Sequence, residues 1–258
     1  MTNLGGKVAL ITGASSGIGR STAILFAKLG ATLSITGRDI ENLQKTAKEC
    51  EGQGGTSAPL LIQASLDIEE DVKRVVEETI NRFGRLDILV NNAGILERGS
   101  IENTSLESYD RVMNINVRAV YQLSMLAVPH LTKTKGNIVN VSSVNGIRSF
   151  TGVLAYNMSK AALDQFTQCV ALELAPKGIR VNSVNPGVIL TDIHKRSGLT
   201  PEEYKQFLEK SKATHALGRT GSAEEVAQAI AFLASSNSSF CTGVLLPVDG
   251  GRHAMCPR

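Results

Sequence analysis

Tyr156 and Lys160 are the one tyrosine–lysine pair in this 258-residue chain that stands four residues apart. On a helix that spacing puts both side chains on one face. A phenol has a pKa of about 10, too high for ready proton exchange near neutrality. An ammonium one turn away favours the phenolate and brings it nearer working pH. The pair is therefore a candidate acid or base for a reaction that creates or discharges charge on an oxygen. Ser143, thirteen residues before the tyrosine, offers a hydroxyl donor to the same oxygen. The same pair also fits a solvated helix surface, and the other tyrosines set that background: Met113, Met125 and Leu208 stand four residues beyond Tyr109, Tyr121 and Tyr204. What precedes the pair has to decide.

The elements that would position these residues alternate along the chain. Short apolar runs rich in strand formers fall at 7–12, 32–36, 58–63, 86–90, 137–141, 179–184 and 243–248. Between them lie helical patterns at 18–29, stopped by Gly30, and at 39–52, where Asp39 is placed to cap. Others follow at 69–83, stopped by Gly84, and at 105–131, as one helix or two ending near Pro129. The last are at 154–175, 201–212 and 222–234. Strand and helix in alternation predict an α/β fold with a mostly parallel sheet, and near-continuous apolar strands predict helices on both of its faces. No linker or repeat divides residues 1–258, so one doubly wound domain is expected, with a cofactor half at 1–135 and a catalytic and substrate half at 136–258. The polar, patchily helical stretch 191–220 follows a strand's carboxyl end. It is either a lid over the ligand crevice or a surface excursion.

Composition narrows the function classes. With 42% hydrophobic and 20% charged residues the chain reads as globular. A formal net charge of +3, without a block of like charges, argues against a nucleic-acid partner. The longest mostly apolar run, at 119–131, is interrupted by Gln122, Ser124 and Pro129 and is too short and polar for a membrane span. The N-terminal MTNLGGKVALITG reads as a first strand, not a signal peptide. Cys50, Cys169, Cys241 and Cys256 form no CxxC or Cys/His spacing. Reduced thiols in a cytoplasmic protein without a bound metal are the expectation, with Cys169 in the core and Cys256 exposed.

Gly13, Gly17 and Gly19 lie between the first strand and the first helix, in GASSGIG. Such a loop can let the backbone turn toward a pyrophosphate held at a helix N-terminus, with Ser15, Ser16 and Ile18 beside it. The spacing is neither the usual G-x-G-x-x-G nor a Walker loop, since no Lys-Ser/Thr follows. After the second strand come Gly37, Arg38 and Asp39. A carboxylate here would bind the ribose of NAD and an arginine the extra phosphate of NADP. Asp39 is placed as a helix cap, so the reading favours NADP(H) through Arg38, with NAD(H) as the alternative. Asp67 follows the third strand, where it can meet an adenine amine. Asn91, Asn92, Ala93 and Gly94 form a turn after the fourth.

Taken together, TGASSGIG (12–19), NNAG (91–94), Asn116, Ser143, Tyr156-x-x-x-Lys160, Pro186-Gly187-x-x-x-Thr191 and the closing TGVLLPVDGG (242–251) resemble, in order and spacing, the short-chain dehydrogenase/reductase family, and most of all its 3-oxoacyl-carrier-protein, carbonyl and tropinone reductases. The resemblance implies a single Rossmann-like domain of about seven parallel strands. It implies that Ser143 hydrogen-bonds the substrate oxygen and Tyr156 exchanges the proton. Lys160 would serve both the tyrosine and the nicotinamide ribose, Asn116 a water relay, and Thr191 the carboxamide. It further implies a homotetramer built on helices 105–131 and 154–175 and on the last strand. Ser16 stands where some NADP-preferring members carry a second basic residue, so the NADP preference rests on Arg38 alone.

The expected function is hydride transfer between NADPH and a ketone or aldehyde, or the corresponding secondary alcohol. An NAD-dependent alcohol dehydrogenase and a non-catalytic dinucleotide sensor are the alternatives. The residues expected to face the substrate are largely apolar: Leu96, Asn145, Ile147, Phe150, Val153, Leu154, Ile189 and the segment 191–212. They suit a steroid, isoprenoid or acyl chain. Arg148, His194, Lys195 and Arg196 leave room for an anionic group.

Overall fold

The computed structural model describes residues 2–53 and 57–256, without the side chains of His194 and Lys195. The first half runs β1 (Val8–Thr12), α1 (Gly17–Lys28), β2 (Thr32–Gly37), α2 (Ile40–Glu51), β3 (Leu60–Gln63), α3 (Glu69–Phe83), β4 (Ile88–Asn91), α4 (Leu106–Met113) and α5 (Ala119–Thr134). The second runs β5 (Asn137–Val141), α6 (Val144–Ile147), α7 (Leu154–Leu174), β6 (Arg180–Pro186), α8 (Ile193–Arg196), α9 (Pro201–Ala213), α10 (Ala223–Ala234) and β7 (Leu245–Val248).

The strands form one sheet in the order β3-β2-β1-β4-β5-β6-β7, parallel at every pairing. Strand alternation sends Ala9 and Ile11 to one face and Leu10 to the other. On the first face Phe26, Leu43, Val226 and Ile230 bring α1, α2 and α10 onto the sheet. On the second Val72, Val75, Leu123, Leu131 and Ala171 bring α3, α5 and α7. Both faces are thus covered, which is why β1, β4 and β5 are buried along their whole length. Strand order reverses between β1 and β4, and in such sheets the crevice beyond the carboxyl ends at that point receives ligands.

Local structure follows the sequence closely where capping chemistry is explicit. Asp39 caps α2, its carboxylate accepting from the Asn42 amide at 3.0 Å. Three details differ from expectation. The helix expected to end near Pro129 continues to Thr134. Pro129 and Met125, the residue whose carbonyl loses its helical partner, are both exposed, so water can replace the missing bond. Between α4 and α5 the chain does not break; a π-helical turn, Asn114–Arg118, joins them. Cys169, expected in the core, is exposed, because α7 turns Leu163, Thr167, Ala171 and Leu174 inward instead. Cys256 is exposed, as expected.

Candidate active site

A cleft of ≈ 620 Å³ opens along the carboxyl ends of the strands. It is lined from one end by Gly13, Ser15, Ser16, Gly17 and Ile18, then by Thr36 and Arg38, Asp67, Asn92 with Ala93 and Gly94, Pro186 with Gly187, and Thr191. Ser143, Asn145, Tyr156 and Lys160 line the same cleft. Residues scattered over most of the chain are gathered because most lie at or just beyond the carboxyl end of a strand of one parallel sheet, while α7 brings Tyr156 and Lys160 alongside.

Gly13 has φ +65, and a Cβ there would come within 2.9 Å of the Ala93 Cα and of Asn92 Nδ2. Asn92 explains that closeness: its Nδ2 donates to the carbonyls of Thr12 at 2.7 Å and Gly13 at 3.3 Å. Thr12 Oγ1 returns the contact by accepting from the amides of Asn92 and Ala93, each at 3.0 Å. The loop after β4 is thereby sewn to the glycine loop. Gly19 does not line the cleft; a Cβ on it would overlap the Gly13 carbonyl and the Asn92 amide. Its glycine is demanded by protein packing, behind the cleft. Gly17, with φ +54, faces Thr191, whose methyl would lie 3.1 Å from an added Cβ. So the Pro186–Thr191 segment and the glycine loop meet.

The first turn of α1 has no acidic residue and no side-chain cap from Ser16. Its amide groups are left for an anion. Nearby, Thr36 Oγ1 is buried with no hydrogen-bond partner among the described residues. An uncapped helix N-terminus, a cradle closed to any Cβ at Gly13 and an orphaned hydroxyl suit a phosphate-bearing dinucleotide.

Asn116 is fully buried in the π turn. Its Oδ1 accepts from the Ile95 amide at 2.9 Å, and its Nδ2 donates to the Ile95 carbonyl at 2.9 Å and to Ser159 Oγ at 3.0 Å. It therefore does not line the cleft; it clamps the loop after β4 onto α7 from behind. Gly94 sits between this clamp and Lys160, for a Cβ there would lie 3.2 Å from Asn116 Oδ1 and 3.6 Å from Lys160 Nζ.

Ser143 caps α6, accepting from the Asn145 amide at 3.1 Å, and still faces the cleft. Asn145 Nδ2 donates to Asn157 Oδ1 at 2.7 Å, and Asn157 Nδ2 to the Phe150 carbonyl at 2.7 Å. These bonds fix the loop between Ser143 and Tyr156. Lys160 donates to the Val141 carbonyl at 2.8 Å, and its Nζ lies 5.6 Å from the Tyr156 ring centroid. Burial pushes the Tyr156 phenol up to about 12, against a downward pull from the Ser143 hydroxyl. Burial also takes the Lys160 ammonium down to about 8, while Asp164 one turn on opposes it. Asp164 is itself pushed up by burial, against hydrogen bonds led by Ser142 and Asn185. The expected lowering of the tyrosine by the lysine is not what sets the phenol here: its own burial does, opposed by the Ser143 hydroxyl.

The family model described as enoyl-(acyl carrier protein) reductase matches residues 13–253. The chain is 42% identical to 3-oxoacyl-(acyl-carrier-protein) reductase of Thermotoga maritima over 96% of its own length and 98% of the relative's. It is 40% identical to cyclohexanol dehydrogenase of an Acinetobacter species, over 95% of this chain and 94% of the other. A Caenorhabditis elegans short-chain dehydrogenase/reductase solved with cofactor superposes with TM-score 0.93 at 35% identity, covering 98% of this chain and 97% of that one. This protein is a short-chain dehydrogenase/reductase.

As a member of that family it is an oxidoreductase that binds NAD(P)H and acts on small molecules. Among the described residues no helix is long and apolar enough to cross a membrane. Within this dehydrogenase/reductase site, the apolar residues Leu96, Phe150, Val153 and Ile189 line the cleft as expected, joined by Ile193, Leu199 and Phe207 of the 191–212 segment. Ile147 and Leu154 do not line it. Arg148 also turns away: its guanidinium donates to the carbonyls of His253 and Met255, pinning the C-terminal tail. Arg196 reaches across the cleft mouth to donate to Ser16 Oγ at 3.2 Å. The side chains of His194 and Lys195 lie outside the described residues. Arg252, absent from the sequence expectations, lines the cleft. No local pattern marks it, because it reaches the site only through the turn after β7.

Proposed function

We propose that this enzyme reduces a ketone or aldehyde with NADPH, or oxidises the matching secondary alcohol. The observation that carries the reading is the convergence of Ser143, Tyr156 and Lys160 on one wall of a cleft whose other end is a phosphate-receptive glycine loop. When bound, the nicotinamide supplies or accepts the hydride. The chain's own groups manage the oxygen. Ser143 donates a hydrogen bond to it, and Tyr156 gives up its proton as charge develops there. Burial holds the phenol protonated, so the proton is there to give, but it also makes the phenol a weaker acid, and its release needs a nearby cation. The Lys160 ammonium, fixed by Val141, favours the phenolate left behind. The side chain of Asn116 is engaged by Ile95 and Ser159, so any proton relay through this residue uses its main chain in the π turn.

NADPH is favoured over NADH because no described carboxylate pairs with the exposed Arg38, while Asp39 is engaged with Asn42. A single domain, cytoplasmic location and an apolar ketone such as a steroid, isoprenoid or acyl chain complete the reading. The stretch 191–220 acts as a lid, latched by Arg196 on Ser16. The exposed Leu106, Tyr121, Met125, Met158 and Leu172 on α4, α5 and α7 support one dyad of a homotetramer, and exposed Phe240 the other. Tyr156→Phe should abolish ketone-dependent loss of NADPH absorbance while NADPH still binds; unchanged turnover would remove Tyr156 from the mechanism.

A further inference from the structure

The turn after β7 places a cation at the substrate end of the cleft. Arg252 lines the cleft, and its guanidinium carbon lies 4.4 Å from the centroid of the Phe150 ring. Phe150 belongs to the loop between Ser143 and Tyr156, so Arg252 stands on the reacting side, away from Arg38 and the glycine loop. Its position is built from two sides. Asp249 accepts from the amides of Gly251 at 3.0 Å and His253 at 2.6 Å, which shapes the turn. Arg148 holds the following residues by the carbonyls of His253 and Met255. A guanidinium held in this way is preorganised.

Its donors are not used by the protein. Among the described residues no hydrogen-bond acceptor meets the Arg252 guanidinium. The carboxylate of Asp249 attracts it but spends its oxygens on the two amides and on His253 Nδ1, at 2.9 and 3.0 Å. A partly buried guanidinium stacked on an aromatic ring, with its planar fork unpaired, is a receptor for a planar oxyanion.

We propose that Arg252 is a specificity-determining residue, and that the preferred substrate is an apolar carbonyl compound bearing a carboxylate. The fork suits carboxylate and phosphate alike, and carboxylate is favoured because Asp249 offsets part of the positive charge that a phosphate dianion would need. The proposal rests on the carbonyl-reductase reading and adds the substrate class to it.

The test uses the full chain with NADPH and a series of oxo-acids, levulinate and its longer homologues, each against its methyl ester. The wild-type enzyme should prefer the acid to the ester at one spacer length. Arg252→Gln should reduce the acid-to-ester ratio of kcat/KM about tenfold or more, the scale of a charge-assisted hydrogen bond, and Arg252→Lys should restore part of it. Tyr156-dependent turnover of the esters with no acid preference, or a ratio unmoved in Arg252→Gln, would overturn the inference and leave the reductase reading standing. If no member is turned over, that reading fails with these ketones, and calorimetric titration of the oxo-acids into the protein with NADP+ decides separately. Acid binding lost in Arg252→Gln supports the site; equal binding in both proteins, or none in either, overturns it. Melting temperature identifies a variant that fails to fold, in which case Arg252→Lys carries the comparison.

Discussion

Lys160 Nζ donates to the main-chain carbonyl of Val141 at 2.8 Å, one strand residue before the Ser142–Ser143 pair. The lysine is therefore fixed by the same strand that delivers Ser143, and its orientation does not depend on Tyr156.

That burial has a thermodynamic consequence. The pKa falls from 10.5 to about 8, which at about 1.4 kcal/mol per unit is on the order of 3 kcal/mol of destabilisation near neutrality. Removing the ammonium leaves the Val141 carbonyl unpaired, at a cost of about 1–3 kcal/mol. The two nearly cancel, so Lys160→Met should retain or slightly exceed wild-type stability while losing activity. The pH dependence separates the terms. With the folded pKa depressed, this side chain binds more protons in the unfolded chain between about 8 and 10.5, so the contribution of Lys160 to stability should rise with pH across that window. From about 9 the rise is opposed by Cys50, whose buried thiol keeps its proton up to about 12, and above 10 by Tyr156 as well. Urea melts should show the lower part of that rise in wild type and not in Lys160→Met.

His215 links the end of α9 to the loop after β6. Its Nε2 accepts from the Val188 amide at 3.0 Å, and its Nδ1 donates to the Ser211 carbonyl at 2.6 Å, which assigns the neutral tautomer. Burial lowers its pKa, with Arg252 acting in the same direction; the Ser211 bond and Asp249 oppose them. As pH falls below 6.5 the unfolded chain takes up the proton first, and stability is lost. His215→Gln, whose amide oxygen can still accept from Val188 without titrating, should be about 1 kcal/mol less stable at neutrality. Its melting temperature should change less between about pH 7.5 and about pH 5.5. An unchanged pH response would assign the acid sensitivity elsewhere.

Arg38 is exposed and Asp39 is engaged in its cap. Arg38→Ala should raise KM for NADPH about tenfold or more, the scale of a lost charge-assisted contact, and change KM for NADH little. Equal effects on the two cofactors would remove Arg38 from the discrimination.

How far the sequence reached depended on whether a signal was local. The strand at Asn137–Val141 was legible to the residue, because a short apolar run lies between Gly136 and the serine pair. The cap at Asp39, the helix carrying Tyr156 and Lys160, and the loops at strand ends were legible for the same reason. The π turn at Asn116 was not: one helical pattern running into another does not reveal a one-residue slip of hydrogen bonding. Arg148 was expected near the substrate and Arg252 was not, since which arginine meets the cleft is settled by the path of the C-terminal turn. Gly19 belonged to the motif, yet its reason lies in packing against the Gly13 carbonyl and Asn92, the second of them far along the chain.

That last contact gives the sharpest separation of packing from cofactor binding. Gly19→Ala drives a methyl into both the Gly13 carbonyl and the Asn92 amide. Asn92→Ala removes the second obstacle and also strips the Thr12 and Gly13 carbonyls of their donor. Because the Gly13 carbonyl is backbone at the crossing of β1 and the loop, it cannot yield. The double variant should therefore not be rescued. Each single variant should lose about 1–3 kcal/mol of stability, from overpacking in one case and unpaired acceptors in the other. Chemical denaturation checks the three proteins directly. Recovery of stability in the double variant would show that Asn92, not the Gly13 carbonyl, sets the limit on residue size at Gly19.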